Sequence, residues 1–467
     1  MDLMSLIVKY ILTTNFEDIP PEIVDVTKKT VIDTLGVIIA GSSVEGTKLL
    51  MEFVRDFKGM QECTVAVFGD KVPASLAAQV NGAMARAREI DDVSDVRPLH
   101  ISASVIPVCL AIAEKQGSIT GKQFVAAVAL GQDLAIRFSL ATITSPVVSG
   151  RYNLAKVFAC TGAAGKLLGL GEDQLWNAMG IAYSQMPGDM QALSDGVMTA
   201  YITQGTRAKA AIEAALMARK GITGTRNVLL GQYGFFNAFE PDPDLDALTS
   251  GLGSRFAGRD IAIKLYSACR FTHQSIELAQ NFVREGLRPE NIDRITVRCG
   301  AECYRLVGQP LEDKRRPRSY VDGNFSIPFT VAVAFTQGDV FIGQVNDDTI
   351  RDPGILEIAD RVTPVIDPER EVAGQVVGSV VMEITTKDGR TLTKETMFPK
   401  GNPKNPASMD DCVAKFRKAT AYSRTPFPHS QLDKIVNMVH TLEKLANVNE
   451  LVALLAPQSD KPIAQAG

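Results

Sequence analysis

No G-x-G-x-x-G opens a strand–helix unit in this chain and no P-loop occurs, so nothing in it points to a bound nucleotide. No C-x-x-C occurs either. The cysteines number seven, an odd count in a long chain. Cys299 and Cys303 lie four apart, but no His or Cys pair stands nearby to complete a zinc site, so no metal is expected. Isolated thiols of this kind suit a reducing, cytoplasmic setting. An excess of positive charge is also missing. Net charge is −4, whereas a nucleic-acid binder usually carries a basic face. No apolar run is read as long enough for a membrane span. The opening MDLMSLIVKYILTTNFEDIP lacks a charged n-region followed by a cleavage site, so no signal peptide is expected. Internal repeats and long low-complexity segments are absent. Histidine is scarce, at four residues, yet one of them closes KLYSACRFTH (264–273), a stretch that also holds a lysine, a tyrosine, a cysteine and an arginine.

What is present is an ordinary globular composition, 45% hydrophobic and 22% charged. At 467 residues the chain exceeds one ordinary core, which implies two domains. Up to about residue 260 the pattern is helical. PPEIVDVTKKTVIDTLGVIIAG (20–41) has helical apolar spacing, with prolines at its start and Gly41 at its end. Segments 73–89, 104–117, 121–139 and 207–221 repeat the theme. They are apolar nearly all round and rich in small residues, as expected of helices packed closely inside a large bundle. The texture then changes. A helix is expected over 272–286 with Thr272 as N-cap, a strand over 291–300, a buried helix over 326–339, and a hairpin over 376–398 turning at Asp388-Gly389. Helix returns after about residue 403. The expected architecture is mainly α: a large all-helical domain built from both chain ends (1–267 and 403–457) and a smaller inserted α+β domain (268–402), followed by a loose tail at 458–467.

Four stretches gather polar groups within apolar sequence. EIDDVSDVRPLHISASVIPV (89–108) holds Glu89, Asp91, Asp92, Asp95, Arg97 and His100 between two apolar helices, and loops framed by rigid elements often carry function. A bland acidic loop fits its composition equally well. SGRYNLAKV (149–157) supplies Arg151, Tyr152 and Lys156, and a solvated helix start explains it more simply. Residues 194–210 supply Asp195, Tyr201, Thr203 and Arg207, which a polar helix entry would also explain. In 264–273, Lys264 and Tyr266 precede an expected helix whose first turn holds His273. A helix N-terminus there would favour an anion. Arg270 would add a planar fork for a carboxylate. His429 and His440 are read as structural. The set suits an anionic substrate and general acid–base chemistry without a metal.

The segment KLYSACRFTHQSIE resembles the K-x-Y-x-x-C-R-x-x-H stretch of the MmgE/PrpD family. IDDVSDVRPLHISASVIPV resembles that family's D-D…H-P-S motif, and RRPRSYVDGNFSIPFTVAVAFTQGDV (315–340) its R-P…D-x-x-F-S-x-P segment. The likeness runs along nearly the whole chain. The family includes 2-methylcitrate dehydratase, cis-aconitate decarboxylase and iminodisuccinate epimerase. The resemblance implies a large helical domain with a smaller α+β domain, a homodimer, a small polycarboxylate substrate, no cofactor and an active site in the domain cleft. It matches His100 and Lys264 to active-site residues, Asp91 and Asp92 to an acidic pair, and Arg270 and His273 to the remainder of their motif.

The departures are informative. Lyase members carry a histidine after the glycine near residue 150, where this chain has Arg151, Tyr152 and Asn153. They carry a lysine and a histidine where this chain has Ala200 and Thr203, and the proline of the family's H-P-S motif is Ile101 here. An epimerase needs only two proton-handling groups flanking one carbon. The leading expectation is therefore an epimerase acting on a dicarboxylate such as iminodisuccinate. Lys264 and His100 would exchange protons, Tyr152 would be an alternative donor, and Arg151, Arg270, His273, Asp91 and Asp92 would bind substrate. A tricarboxylate lyase of the dehydratase or decarboxylase type is the alternative, and a non-catalytic carboxylate-binding dimer is the third reading.

Overall fold

A computed structural model describes residues 2–97, 99–144 and 146–457. The tail at 458–467, expected to be loose, lies outside the described residues. The chain is mainly α, at 57% helix, with a smaller α+β part. It divides into two compact units. The first takes residues 2–92, 99–259 and 409–457; the second takes residues 93–97 and 260–408.

The first unit is a bundle in which small residues set the helix spacing. The Ala74–Arg86 helix lies against both the Pro21–Gly41 and Thr199–Arg219 helices. A Cβ on Gly205 would fall 1.8 Å from the Gln79 carbonyl oxygen, and one on Gly41 would fall 2.0 Å from that of Met84. Backbone contact this close is open only to glycine. The C-terminal helix Met409–Thr420 packs on Pro21–Gly41, and its buried Lys415 reaches Asp33 at 2.5 Å and the Ile90 carbonyl oxygen at 2.5 Å.

The Gly121–Ala141 helix starts with a capping box. Thr120 accepts from the Gln123 N–H at 3.3 Å, and Gln123 accepts from the Thr120 N–H at 2.9 Å. This helix departs from the expectation drawn from apolar runs. By length and composition alone it could cross a membrane, yet 89% of its apolar window is buried inside the structure. It is a core helix, and its Asp133 is held by Tyr10, Arg137 and the Ala257 N–H.

The second unit holds a four-stranded sheet. Its order is Val362–Ile366, Ile292–Cys299, Val380–Thr386, Thr391–Thr396, with the first pair parallel and the others antiparallel. Val380, Met382, Ile384 and Thr386 alternate inward, giving one face for the His273–Arg284 and Ile327–Gln337 helices to cover. The expected hairpin turns at Gly389, φ +86. Thr272 precedes the first of these helices, but its hydroxyl donates back to the Cys269 carbonyl and caps nothing. Val93–Ser94 pairs antiparallel with Ile261–Ala262. That pairing explains why residues 93–97 group with this unit, and why the unit starts at Asp260 and already contains Lys264.

Gly205→Ala should separate two helices and lower stability by at least about 1–3 kcal/mol. Gly258→Ala, with nothing within 4 Å, should stay within about 0.5 kcal/mol. Urea midpoints of both variants check this; equal midpoints would remove the close-packing account.

Candidate active site

In the first unit the site is built on the loop between the Ala74–Arg86 and Ser102–Gln116 helices. Its two adjacent aspartates are fully buried and do different work. Asp92 fixes the start of the second helix. It accepts from the Ser102 N–H at 2.9 Å and from the Ser102 hydroxyl at 2.5 Å. The Ser102 hydroxyl accepts in turn from the Gln132 amide at 2.8 Å, and that amide also reaches Thr30. Asp91 turns to His100 instead, with Oδ2 lying 2.8 Å from Nδ1. A carboxylate accepts only, so Nδ1 carries the proton.

Glu89 lies on the other side of the imidazole, its Oε1 3.9 Å from Nε2. Its backbone is at φ +55, a strained position for this residue type. Arg86 holds it there through a short ion pair and also lies 3.9 Å from Asp91 Oδ1. The Tyr152 ring meets the His100 ring edge-on, with centroids 6.3 Å apart. Burial pushes the Tyr152 phenol well above its usual range, so it keeps its proton at neutral pH. Asn153, next in the chain, is also at positive φ, +52. Gly188 admits this strand of backbone, since a Cβ there would lie 2.4 Å from the Tyr152 carbonyl oxygen.

The structure therefore brings His100, Asp91 and Tyr152 together, while Asp92 serves the helix start. Neither aspartate presents itself as a substrate ligand: one orients the histidine and the other anchors the loop. Arg151 is elsewhere. It is exposed, its guanidinium lies 4.8 Å over the Phe239 ring, and it donates to the Phe239 carbonyl at 3.2 Å.

The second unit holds the other expected residues. Lys264 is fully buried. Its neighbour Ile263 donates to the Gly401 carbonyl at 2.9 Å. Arg270 does not present its fork to a ligand. Nε and Nη2 grip the two oxygens of Asp95 at 2.7 Å each, and Asn402 donates to the same carboxylate at 2.7 Å. His273 has Nδ1 3.3 Å from Arg270 Nη1 and Nε2 3.3 Å from the Ala268 carbonyl. The guanidinium can only donate, so Nδ1 accepts and Nε2–H donates. Both side chains, expected to bind substrate, are thus engaged by the chain's own groups: Arg270 by the Asp95 carboxylate, and His273 by Arg270 and the Ala268 carbonyl.

Arg86 and Gln204 went unnoticed in the sequence, and Lys156 and Arg207 passed as helix-start polarity. The available signal was an arginine or lysine set inside Ala-rich apolar helices, which implies a buried charge with partners.

Two family models match this chain. The MmgE/PrpD N-terminal domain model matches residues 5–248 and the C-terminal domain model residues 266–443. The chain belongs to the MmgE/PrpD family. Its relatives include the cis-aconitate decarboxylase of Aspergillus terreus, 27% identical over 94% of this chain and 93% of that protein. The human cis-aconitate decarboxylase is 25% identical over 94% of this chain and 91% of its own length. The mouse enzyme is 24% identical over 92% and 88%. Enzymatic function follows from the family; the relatives are lyases rather than isomerases.

Burial pushes the Asp92 carboxyl from 3.8 up to about 7. A folded-state pKa raised in this way gives stability that is complete below pH 3.8 and is lost as pH rises through about 7. Asp92→Asn, which does not titrate, should flatten this fall. Urea midpoints between pH 4 and 8 test it, and parallel wild-type and variant curves would contradict the assignment.

Proposed function

We propose that this protein is a lyase that decarboxylates a small unsaturated tricarboxylate of the cis-aconitate type. The observation that carries the reading is the His100–Asp91 pair with Tyr152 at its edge: one oriented acid–base group and one protonated phenol in a buried setting. The similarity to cis-aconitate decarboxylases supports the lyase over the epimerase expected from sequence.

The chemistry follows from charge. The bond to one carboxylate breaks, carbon dioxide leaves, and the electron pair stays behind as an allylic carbanion conjugated with a remaining carboxylate. One proton completes the product, so a trianion and a proton become a dianion and carbon dioxide. His100 can supply that proton from Nε2. As an imidazolium its charge is stabilised by Asp91 at Nδ1 and by Glu89 nearby. Tyr152, held neutral, can donate its hydroxyl hydrogen to the developing charge. Family resemblance gives Lys264 a catalytic role as well.

An epimerase is the second reading. Ala200 and Thr203 stand where lyases are expected to carry a lysine and a histidine, and the Thr203 hydroxyl is turned back onto the Thr199 carbonyl at 2.7 Å. All seven cysteines are buried and none forms a disulfide, which supports a reducing, cytoplasmic location.

Proton NMR in D2O separates the readings. Cis-aconitate should lose carbon dioxide and give a product with a terminal methylene. Exchange of an α-proton in a dicarboxylate with the carbon skeleton kept would favour the epimerase instead. His100→Asn should lower kcat by about 10²–10⁴-fold, and Asp91→Asn, which disturbs the tautomer, by at least about tenfold. Lys264→Ala should also lose most of the activity. Full activity of His100→Asn would exclude the scheme.

A further inference from the structure

Lys156 opens the Lys156–Leu168 helix and is 2% exposed. The proton-transfer scheme does not use it. Its Nζ donates to the His100 carbonyl oxygen at 2.5 Å and to Gln204 Oε1 at 2.8 Å. Gln204 is itself fixed, because the Ser104 hydroxyl lies 2.8 Å from its Oε1 and 2.9 Å from its backbone carbonyl oxygen and shares its one hydrogen between them. A second buried cation repeats the arrangement. Arg207 donates to the carbonyl oxygens of Tyr152 and Pro187. Each of the two facing rings thus has its own backbone carbonyl gripped by a buried cation.

The titratable groups facing Lys156 come from three elements: Cys160 on its own helix, Arg207 on the Thr199–Arg219 helix, and Asp91 and Asp92 on the loop. The two acceptors match the two N–H groups of a neutral amine, and an ammonium has one hydrogen to spare. Burial accordingly brings the lysine down to about 7.

We propose that Lys156 is a positioning residue for His100: its amine holds the histidine backbone so that the ring meets Asp91, and its protonated form adds a buried positive charge that favours an anionic substrate and transition state. The kinetic part rests on the decarboxylase reading; the positional part does not. The sign is fixed by the charge. As pH rises through about 7 the ammonium is lost, and kcat/KM for a polyanion falls.

Two variants separate the hydrogen bond from the charge. Lys156→Met removes both, and Lys156→Gln keeps a donor without the charge. With cis-aconitate as substrate, Lys156→Met should lower kcat about 10–100-fold at pH 6 and make the fall near pH 7 shallower, leaving only the part that His100 contributes. Lys156→Gln should restore kcat toward the alkaline wild-type value and show the same shallower profile. An unchanged pH profile in both variants would overturn the charge role.

A substrate-free measurement tests the positioning. The chain has four histidines, so 13Cε1-histidine labelling gives four resonances, and His100→Asn identifies one. Lys156→Met should shift the His100 signal more than the other three. An unmoved His100 signal in a folded variant overturns the proposal. If Lys156→Met does not fold, the same comparison is made with Lys156→Gln, which should shift His100 less. A wild-type protein inactive on cis-aconitate, with His100 still shifted by the variant, would sink the decarboxylase reading and leave the positioning role standing.

Discussion

One hydrogen bond, from His100 Nδ1 to a fully buried Asp91, fixes which nitrogen of the imidazole carries the proton. Everything around it serves to hold that carboxylate in place. Asp92 ties the end of the loop to Ser102 at the start of a helix. Glu89 takes a left-handed backbone that costs about 1–2 kcal/mol, and its ion pair with Arg86 offsets the strain. Remove the Asp91 acceptor and the imidazole loses the partner that fixes its tautomer.

Such a site needs charge in a place that resists it. The helical unit solves this by pairing. Asp33 with Lys415, Asp133 with Arg137, and Glu89 with Arg86 are each buried and each close. Breaking a buried pair by removing one partner costs about 3–5 kcal/mol, although the intact pair is worth little. The network is therefore better understood as a constraint on arrangement than as a source of stability. Close helix packing at Gly41, Gly82 and Gly205 leaves the same unit little room for water.

Periodicity made most of the fold legible. The helices expected at 20–41, 73–89, 104–117 and 121–139 are observed as Pro21–Gly41, Ala74–Arg86, Ser102–Gln116 and Gly121–Ala141. The hairpin at Asp388-Gly389 was equally clear from its alternation. The helix expected from residue 207 begins at Thr199, because Thr203, Gln204 and Arg207 gave its first two turns the look of a polar approach. The strand Val362–Ile366 escaped notice. It is five residues long and contains Pro364, which argues against a strand. It sits at the sheet edge, where the missing N–H does no harm.

The site was legible by residue type and opaque by partner. An arginine three residues before a histidine at a helix start reads as a carboxylate receptor, and Arg270 does hold a carboxylate. It is the chain's own Asp95, 175 residues away in sequence. No local pattern distinguishes an internal carboxylate from a substrate's. Lys156 shows the converse. Read alone in SGRYNLAKV it is a helix-start lysine facing water; in the fold it is closed in by Gln204 and the His100 carbonyl. Burial is a property of the assembled bundle, so a side chain's charge state becomes readable only once the helices that enclose it are in place. The charge carried by these side chains therefore belongs to the packing as much as to the residues themselves.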